Sequence, residues 1–274
     1  MVIVDSHVHT APYWWEPIEA LLFHMESNGV EKAVMVQFMG NYDNRYELEC
    51  VRKYPGRFSA VVLVDTKKPD AVDTLTKQAS EGATGVRLRP DSRSAGPDPL
   101  ALWRKADELG LVVSSFGTLE TFAADEFRRL VEELPNLKIV IEHLGGLEPI
   151  KVDLATLERT GGGQELQVDL KLFEKVLALS KYPNVYIKLH GFGELLARPM
   201  PIRTVPFPEP PKVIRMAFQA FGREHMMWGS SYPACSVGEG YANTLRLPME
   251  KTSFFSKVDK EWIFGKTALS VFEF

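Results

Sequence analysis

Two histidines one residue apart, His7 and His9, stand at the end of the short apolar run that opens the chain. On a strand, residues i and i+2 point to the same side, so the two imidazoles share a face. Two imidazoles so placed can jointly grip a divalent ion such as zinc, or serve as hydrogen-bonded structural residues. Other chemically able side chains stand in the same kind of position, at the end of an apolar run. Gln37 is followed by Asn41, Asp43 and Asn44; then come Arg87 with Arg89, Ser114 with Ser115, Glu142 with His143, Lys188 with His190, and Ser230-Ser231-Tyr232-Pro233. Four of the six histidines fall at such ends, a clustering that packing does not account for; His24 and His225 are the exceptions. Arg87 and Arg89 share a strand face, and two guanidiniums on one face cannot both be buried without anionic partners. At least one therefore reads as a site residue able to hold a substrate carboxylate with two hydrogen bonds, the alternative being a salt bridge at the rim. Lys188 reads as half of a structural ion pair. Trp14, Trp15, Met226 and Met227 read as packing residues.

The elements that must position these groups follow from the hydrophobic pattern. Eight β-branched-rich runs alternate with helical patterns: Val2–Val4, Ala33–Gln37, Phe58–Val64, Thr84–Leu88, Leu111–Ser115, Lys138–Glu142, Asn184–Leu189 and His225–Trp228. Pro55-Gly56, Gly82, Gly110, Pro135-Asn136, Pro183-Asn184 and Gly222 come just before later runs, where a helix must stop and a strand begin. Alternating strands and helices call for a parallel sheet with right-handed crossovers, and eight units that close make a TIM-type (β/α)8 barrel. An open doubly wound sheet is the rival, but no G-x-G-x-x-G follows the first strand. In a barrel, residues just after each strand converge on one site at the strand C-termini. Two stretches break the rhythm: Asp153–Glu165, with three consecutive glycines, and Leu196–Pro211, with six prolines. Both would lie on the site face, the second as a lid, a pocket wall or an irregular connection.

Size and composition agree with one such domain over residues 1–274. The chain is 45% hydrophobic and 25% charged, ordinary for a soluble globular protein. A net charge of −4 argues against nucleic acid or an anionic membrane as the partner, leaving a small-molecule substrate, with a homo-oligomer open. Two cysteines, Cys50 and Cys235, make no disulfide framework, which fits a reducing, cytoplasmic setting. The N-terminal run is too short, and lacks the basic residues, for a signal or transit peptide. No apolar run approaches membrane-spanning length.

The segments DSHVHT, GNYDNRYELECVRKYPGRFSAVVLVD, GVRLRP, IEHLGG, NVYIKLHG and FGREHMMWGSSYP together resemble the amidohydrolase-related family. Within it they are most similar to the branch of 2-pyrone-4,6-dicarboxylate lactonase and the sugar lactonases, and more distantly to aminocarboxymuconate semialdehyde decarboxylase. The resemblance spans nearly the whole chain. It implies a TIM-like barrel and a hydrolase of lactones or related carboxylated small molecules, or less often a decarboxylase. His7 and His9 match the family's first-strand H-x-H, and His143 matches the histidine of its HLGG motif. The family's eighth strand usually reads G-S-D-x-P, its aspartate holding metal or activating water; here the sequence is Gly229-Ser230-Ser231-Tyr232-Pro233. The decarboxylase branch has a fifth-strand histidine where Ser114-Ser115-Phe116 stand.

The resulting expectation is a lactonase-type hydrolase. His7 and His9 face a weakly bound divalent metal, zinc, or no metal at all. His143 and position 231 carry the chemistry, and Arg87, Arg89, Gln37, Asn44, His190 and Tyr232 contact substrate. A serine hydroxyl cannot replace a carboxylate as base, so hydrolysis is expected to be impaired. The alternatives are a non-oxidative decarboxylase of a carboxylated aromatic or muconate-type substrate, and a catalytically dead ligand-binding homologue.

Overall fold

A computed structural model of the chain describes residues 1–13, 15–147, 168–195, 210–234 and 239–274. Trp14, Cys235, the Asp153–Glu165 stretch and all but the last two residues of Leu196–Pro211 lie outside these. Eight parallel strands run in sequence order around one sheet: β1 Val4–Val8, β2 Lys32–Val36, β3 Phe58–Val62, β4 Gly85–Leu88, β5 Val112–Ser115, β6 Ile139–Ile141, β7 Val185–Leu189 and β8 Met226–Trp228. The ring closes just past β8. Tyr232 bridges Val8, the Ser231 N–H donates to the His7 carbonyl at 2.8 Å, and the His9 N–H donates to the Tyr232 carbonyl at 2.7 Å. This is the single-domain (β/α)8 barrel that the alternating pattern calls for. Among the described residues, no helix is long and apolar enough to cross a membrane.

Helices such as Arg45–Lys53, Ala71–Ser80 and Asp125–Glu133 return the chain between strands. In the last of these, Phe127, Leu130 and Val131 recur at helical spacing and are buried, while Glu126, Arg128 and Arg129 pair on the outside. Two apolar layers result. The outer one, between strands and helices, includes Val8, Ala33, Met35, Leu75, Trp103 and Phe127. The inner one fills the barrel with Val4, Val34, Val36, Val61, Val112, Val140 and Met227, sealed by Val271 and Phe272. Each fully buried side chain of this size contributes about 1.5–3 kcal/mol.

The first strand departs from the expected Val2–Val4 and runs on to Val8. Its polar residues lie in a strand because the barrel interior, not solvent, receives them. The β1–β2 register shifts between Asp5 and Val8. On a regular strand Val4 and Val8 would face the same way, yet Val4 packs in the inner layer and Val8 in the outer. The irregularity reverses the alternation, as a bulge does, and leaves His7 and His9 inside. Gly229 permits the closure, since a Cβ there would lie 2.7 Å from the His7 Cβ and 2.9 Å from its backbone nitrogen.

Candidate active site

Four imidazoles meet at the C-terminal mouth of the barrel. The His7 ring lies edge-on to His9, His143 and His190 at centroid distances of 4.8, 5.4 and 4.9 Å, and His143 stacks on His190 at 4.2 Å. His143 reaches the mouth through an unusual backbone. Residues His143–Gly146 form one turn of left-handed helix, with φ of 51°, 49°, 86° and 79°. Its hydrogen bonds run from the Gly145 and Gly146 N–H groups to the Glu142 carbonyl and from the Leu147 N–H to the His143 carbonyl. A left-handed residue other than glycine costs roughly 1–2 kcal/mol, and the turn carries two of them in succession. A side chain at Gly146 would force the backbone to shift, because a Cβ would lie 2.3 Å from the Gly117 carbonyl oxygen. The other non-glycine residue with positive φ is Ser231, at 55°. All three described outliers of this kind border the site, as strain tends to do.

Beneath the histidines is a buried layer of charge. Glu142 receives the Arg87 guanidinium as a fork, Nε at 3.2 Å and NH2 at 2.6 Å, and the Ser114 hydroxyl at 2.7 Å. Arg87 spends its remaining arm on the Gln37 carbonyl at 3.0 Å and sits under the Phe116 ring. Burial by itself would raise the Glu142 carboxyl; the charges of Arg87, Lys188 and His143 outweigh it and hold the group below the usual carboxylate range. Lys188, fully buried, donates to Ser114 Oγ at 3.0 Å and meets His7 Nδ1 at 3.2 Å. Burial lowers its ammonium to about 8, against the pull of Glu142.

The proton positions follow from these partners. His9 Nδ1 lies 2.6 Å from the Val36 carbonyl, which can only accept, so Nδ1 carries the proton and Nε2 is bare. Burial and Arg87 push His9 down to about 3, and burial and Lys188 push His7 well below its ordinary value, so both rings are neutral near pH 7. The Lys188 ammonium donates to His7 Nδ1. His7 therefore carries its proton on Nε2 and donates to His9 Nε2 at 3.2 Å. The chain from Lys188 through His7 and His9 to Val36 is closed, each link having one donor and one acceptor.

His7, Glu142 and His143 each offer a donor atom within 4.8 Å of the others, a spacing at which they could share a divalent ion. The donor chemistry in this arrangement does not fit one. Both Glu142 oxygens accept from Arg87, His7 Nδ1 faces the Lys188 ammonium while Nε2 bears a proton, and Arg87 and Lys188 set two positive charges beside the cluster.

Several expected substrate contacts are engaged elsewhere. Arg89 follows β4 and pairs with Asp91 at 3.0 Å in solvent, away from Arg87, because the strand ends at Leu88. Asn44 pairs with the Leu63 backbone in both directions at 2.9 Å, tying the start of helix Arg45–Lys53 to the end of β3. The Gln37 side chain holds the backbones of Phe38 and Asp43. Tyr232 packs its ring against His24 and Tyr241. Sequence reasoning noted Lys188 and Glu142 without joining them to the site, and passed over Asp5. The Asp5 carboxylate accepts from the Ser230 N–H at 2.8 Å, the Tyr241 hydroxyl at 3.0 Å and the His7 N–H at 3.2 Å. The alternation Tyr186, Lys188, His190 was the available signal for Lys188, because it faces a lysine into the barrel.

The family model described as Amidohydrolase matches residues 4–274. No curated protein matches. Among solved structures, the chain is similar to two proteins named as candidate 2-pyrone-4,6-dicarboxylic acid hydrolases. The first, from Pseudomonas putida, is 21% identical with a TM-score of 0.72, covering 98% of this chain and 97% of that one. The second, from Acinetobacter baumannii with citric acid bound, is 19% identical with a TM-score of 0.71, covering 99% of each. A Burkholderia multivorans amidohydrolase with bound zinc is 17% identical with a TM-score of 0.72, again covering 99% of each. These likenesses show a shared fold, and with a family match over all but the first three residues, the chain belongs to the Amidohydrolase family.

Proposed function

We propose that this barrel is a lactonase-type hydrolase that opens a small carboxylated lactone, or a related ester or amide, without a resident metal, and that Ser231 makes it slow. The observation that carries the reading is the closed Lys188–His7–His9 chain over the Arg87–Glu142 fork. It leaves His7 and His9 neutral at the mouth, above a buried layer in which the Arg87 and Lys188 cations are set against the Glu142 and Asp5 carboxylates. The carboxylated class of substrate follows the named hydrolases to which this chain is similar. A substrate carbonyl at the mouth would be attacked by water, with the C–O bond of the lactone breaking to give a hydroxy acid. His143, whose side chain is 17% exposed, is the imidazole placed to take the water proton and return it to the departing oxygen. Ser231 can donate a hydrogen bond to the developing oxyanion but cannot accept the proton. Its backbone supports the family pattern. A φ of 55° is a conformation in which aspartate is several-fold enriched, so an aspartate fits there without new strain.

The test is a panel of carboxylated lactones and their uncharged counterparts, followed by acid release. Slow turnover confined to the carboxylated members supports the reading. Release of carbon dioxide from carboxylated aromatics would favour the decarboxylase. Binding without any turnover, in this chain and in a Ser231→Asp variant, would favour a ligand-binding protein.

A further inference from the structure

The far end of the barrel reaches the site through one residue. After helix Thr267–Val271 the chain turns under the N-terminal ends of the strands. Lys138, just before β6, donates to the Ser270 and Val271 carbonyls at 3.2 and 3.4 Å, and Lys32, at the start of β2, lies 5.1 Å from the centre of the Phe274 ring. Between these ties Phe272 enters the barrel. It is buried at 3% exposure among Val4, Val34, Val36, Val61, Val112, Val140 and Met227. Above its ring, 5.8 Å from the centroid, is the Lys188 ammonium.

That ammonium has three N–H bonds. Two go to His7 Nδ1 and Ser114 Oγ. On the side of the apolar layer, the group it meets is the face of Phe272, which carries the negative end of the ring quadrupole. The Glu142 and Asp5 carboxylates act on the same cation against Arg87, and the ring face adds to their compensation on the apolar side. We propose that Phe272 is a positioning residue: its ring face seats the Lys188 ammonium against His7 and Ser114, and so fixes the tautomer of His7 at the opposite mouth of the barrel. The inference rests on the role given above to the Lys188–His7–His9 chain. It assigns to the C-terminal segment a part in the chemistry as well as in closing the barrel.

The test compares Phe272→Leu with a protein carrying pentafluorophenylalanine at position 272. Leucine keeps an apolar plug but removes the π face. The fluorinated ring keeps the shape and reverses the charge on the face. The first readout needs no substrate: the ring-nitrogen resonances of 15N-histidine protein, with His7 assigned from a His7→Gln variant. In the parent, His7 Nδ1 gives the signal of a bare acceptor and Nε2 that of a protonated nitrogen. Both replacements should mix these signals, while the melting temperature of the fluorinated protein stays within about 3 °C, the shift of roughly 1 kcal/mol in a chain of this size. On a lactone that the parent turns over, kcat should fall about fivefold with KM unchanged, the upper end for an exposed cation–π contact, as suits a separation of 5.8 Å. Unchanged His7 signals in both proteins would overturn the proposal. So would a change with leucine alone, which would make Phe272 a packing residue only. Altered His7 signals in a protein that hydrolyses no lactone would leave this inference standing and refute the proposed function instead.

Discussion

Replacing Arg87 by methionine should destabilise the protein far more than it alters a substrate contact. The guanidinium makes a two-pronged bond to Glu142, at 3.2 and 2.6 Å, and a third bond to the Gln37 carbonyl, and both side chains are buried. Removing it leaves Glu142 with the Ser114 hydroxyl alone among these donors, and leaves the Gln37 carbonyl without this partner. Breaking a buried pair from one side typically costs about 3–5 kcal/mol, because the surviving charge is stranded. For a chain of this length that corresponds to roughly 6–15 °C in melting temperature. Thermal unfolding of the variant, followed by far-UV circular dichroism, measures it. The double variant Arg87→Met, Glu142→Leu should regain more than half of the loss, since a buried pair replaced as a whole is often neutral. If Arg87→Met melts within about 2 °C of the parent, the pair is not holding the floor of the site, and Arg87 returns to the role of substrate anchor.

Further outcomes follow from the same geometry. Burial, opposed by hydrogen bonds from Ser230, His7 and Tyr241, raises the Asp5 carboxyl from 3.8 to about 6. Between those values the folded state binds more protons than the unfolded one, so the parent should lose stability relative to Asp5→Asn as pH rises from about 4 to 6; urea titrations across that range should show the slope, and a flat difference would be against it. Gly146→Ala should cost more than about 2 kcal/mol, because it adds a side chain to a left-handed residue with backbone 2.3 Å away, and should disturb His143; a stable variant with parental melting would mean that the turn can relax. Zinc bound after dialysis against chelator should be well below one per chain by elemental analysis, since Arg87 and Lys188 flank the candidate ligands; near-stoichiometric zinc would mean that Lys188 gives up its bond to His7.

The barrel was legible because buried parallel strands write themselves as apolar runs punctuated by helix stops, and all eight runs became strands. The one large error is at β1. Inside a barrel, polar residues can belong to the strand, so β1 extends through His7 to Val8. The histidine cluster was readable from position alone. The charged layer beneath it was less so, because whether Arg87 serves a substrate or Glu142 depends on which side chains point inward across three strands. Arg89 shows the same limit: its spacing from Arg87 suggested a shared face, but the strand stops between them. The left-handed turn at His143 left only a faint trace, the paired Gly145-Gly146, and nothing in the sequence joined Phe272 to Lys188.

The decisive measurement is hydrolysis by the Ser231→Asp variant. An aspartate with an ordinary carboxylate pKa is ionised at neutral pH and can take a proton from water, and a general base of that kind contributes about 10²–10⁴-fold. On a panel of carboxylated lactones, Ser231→Asp should therefore exceed the parent in kcat by at least about 10²-fold. Equal rates in the parent and the variant would mean that a carboxylate at position 231 adds nothing to the proton transfer His143 already performs, and that Ser231 is not what makes the parent slow.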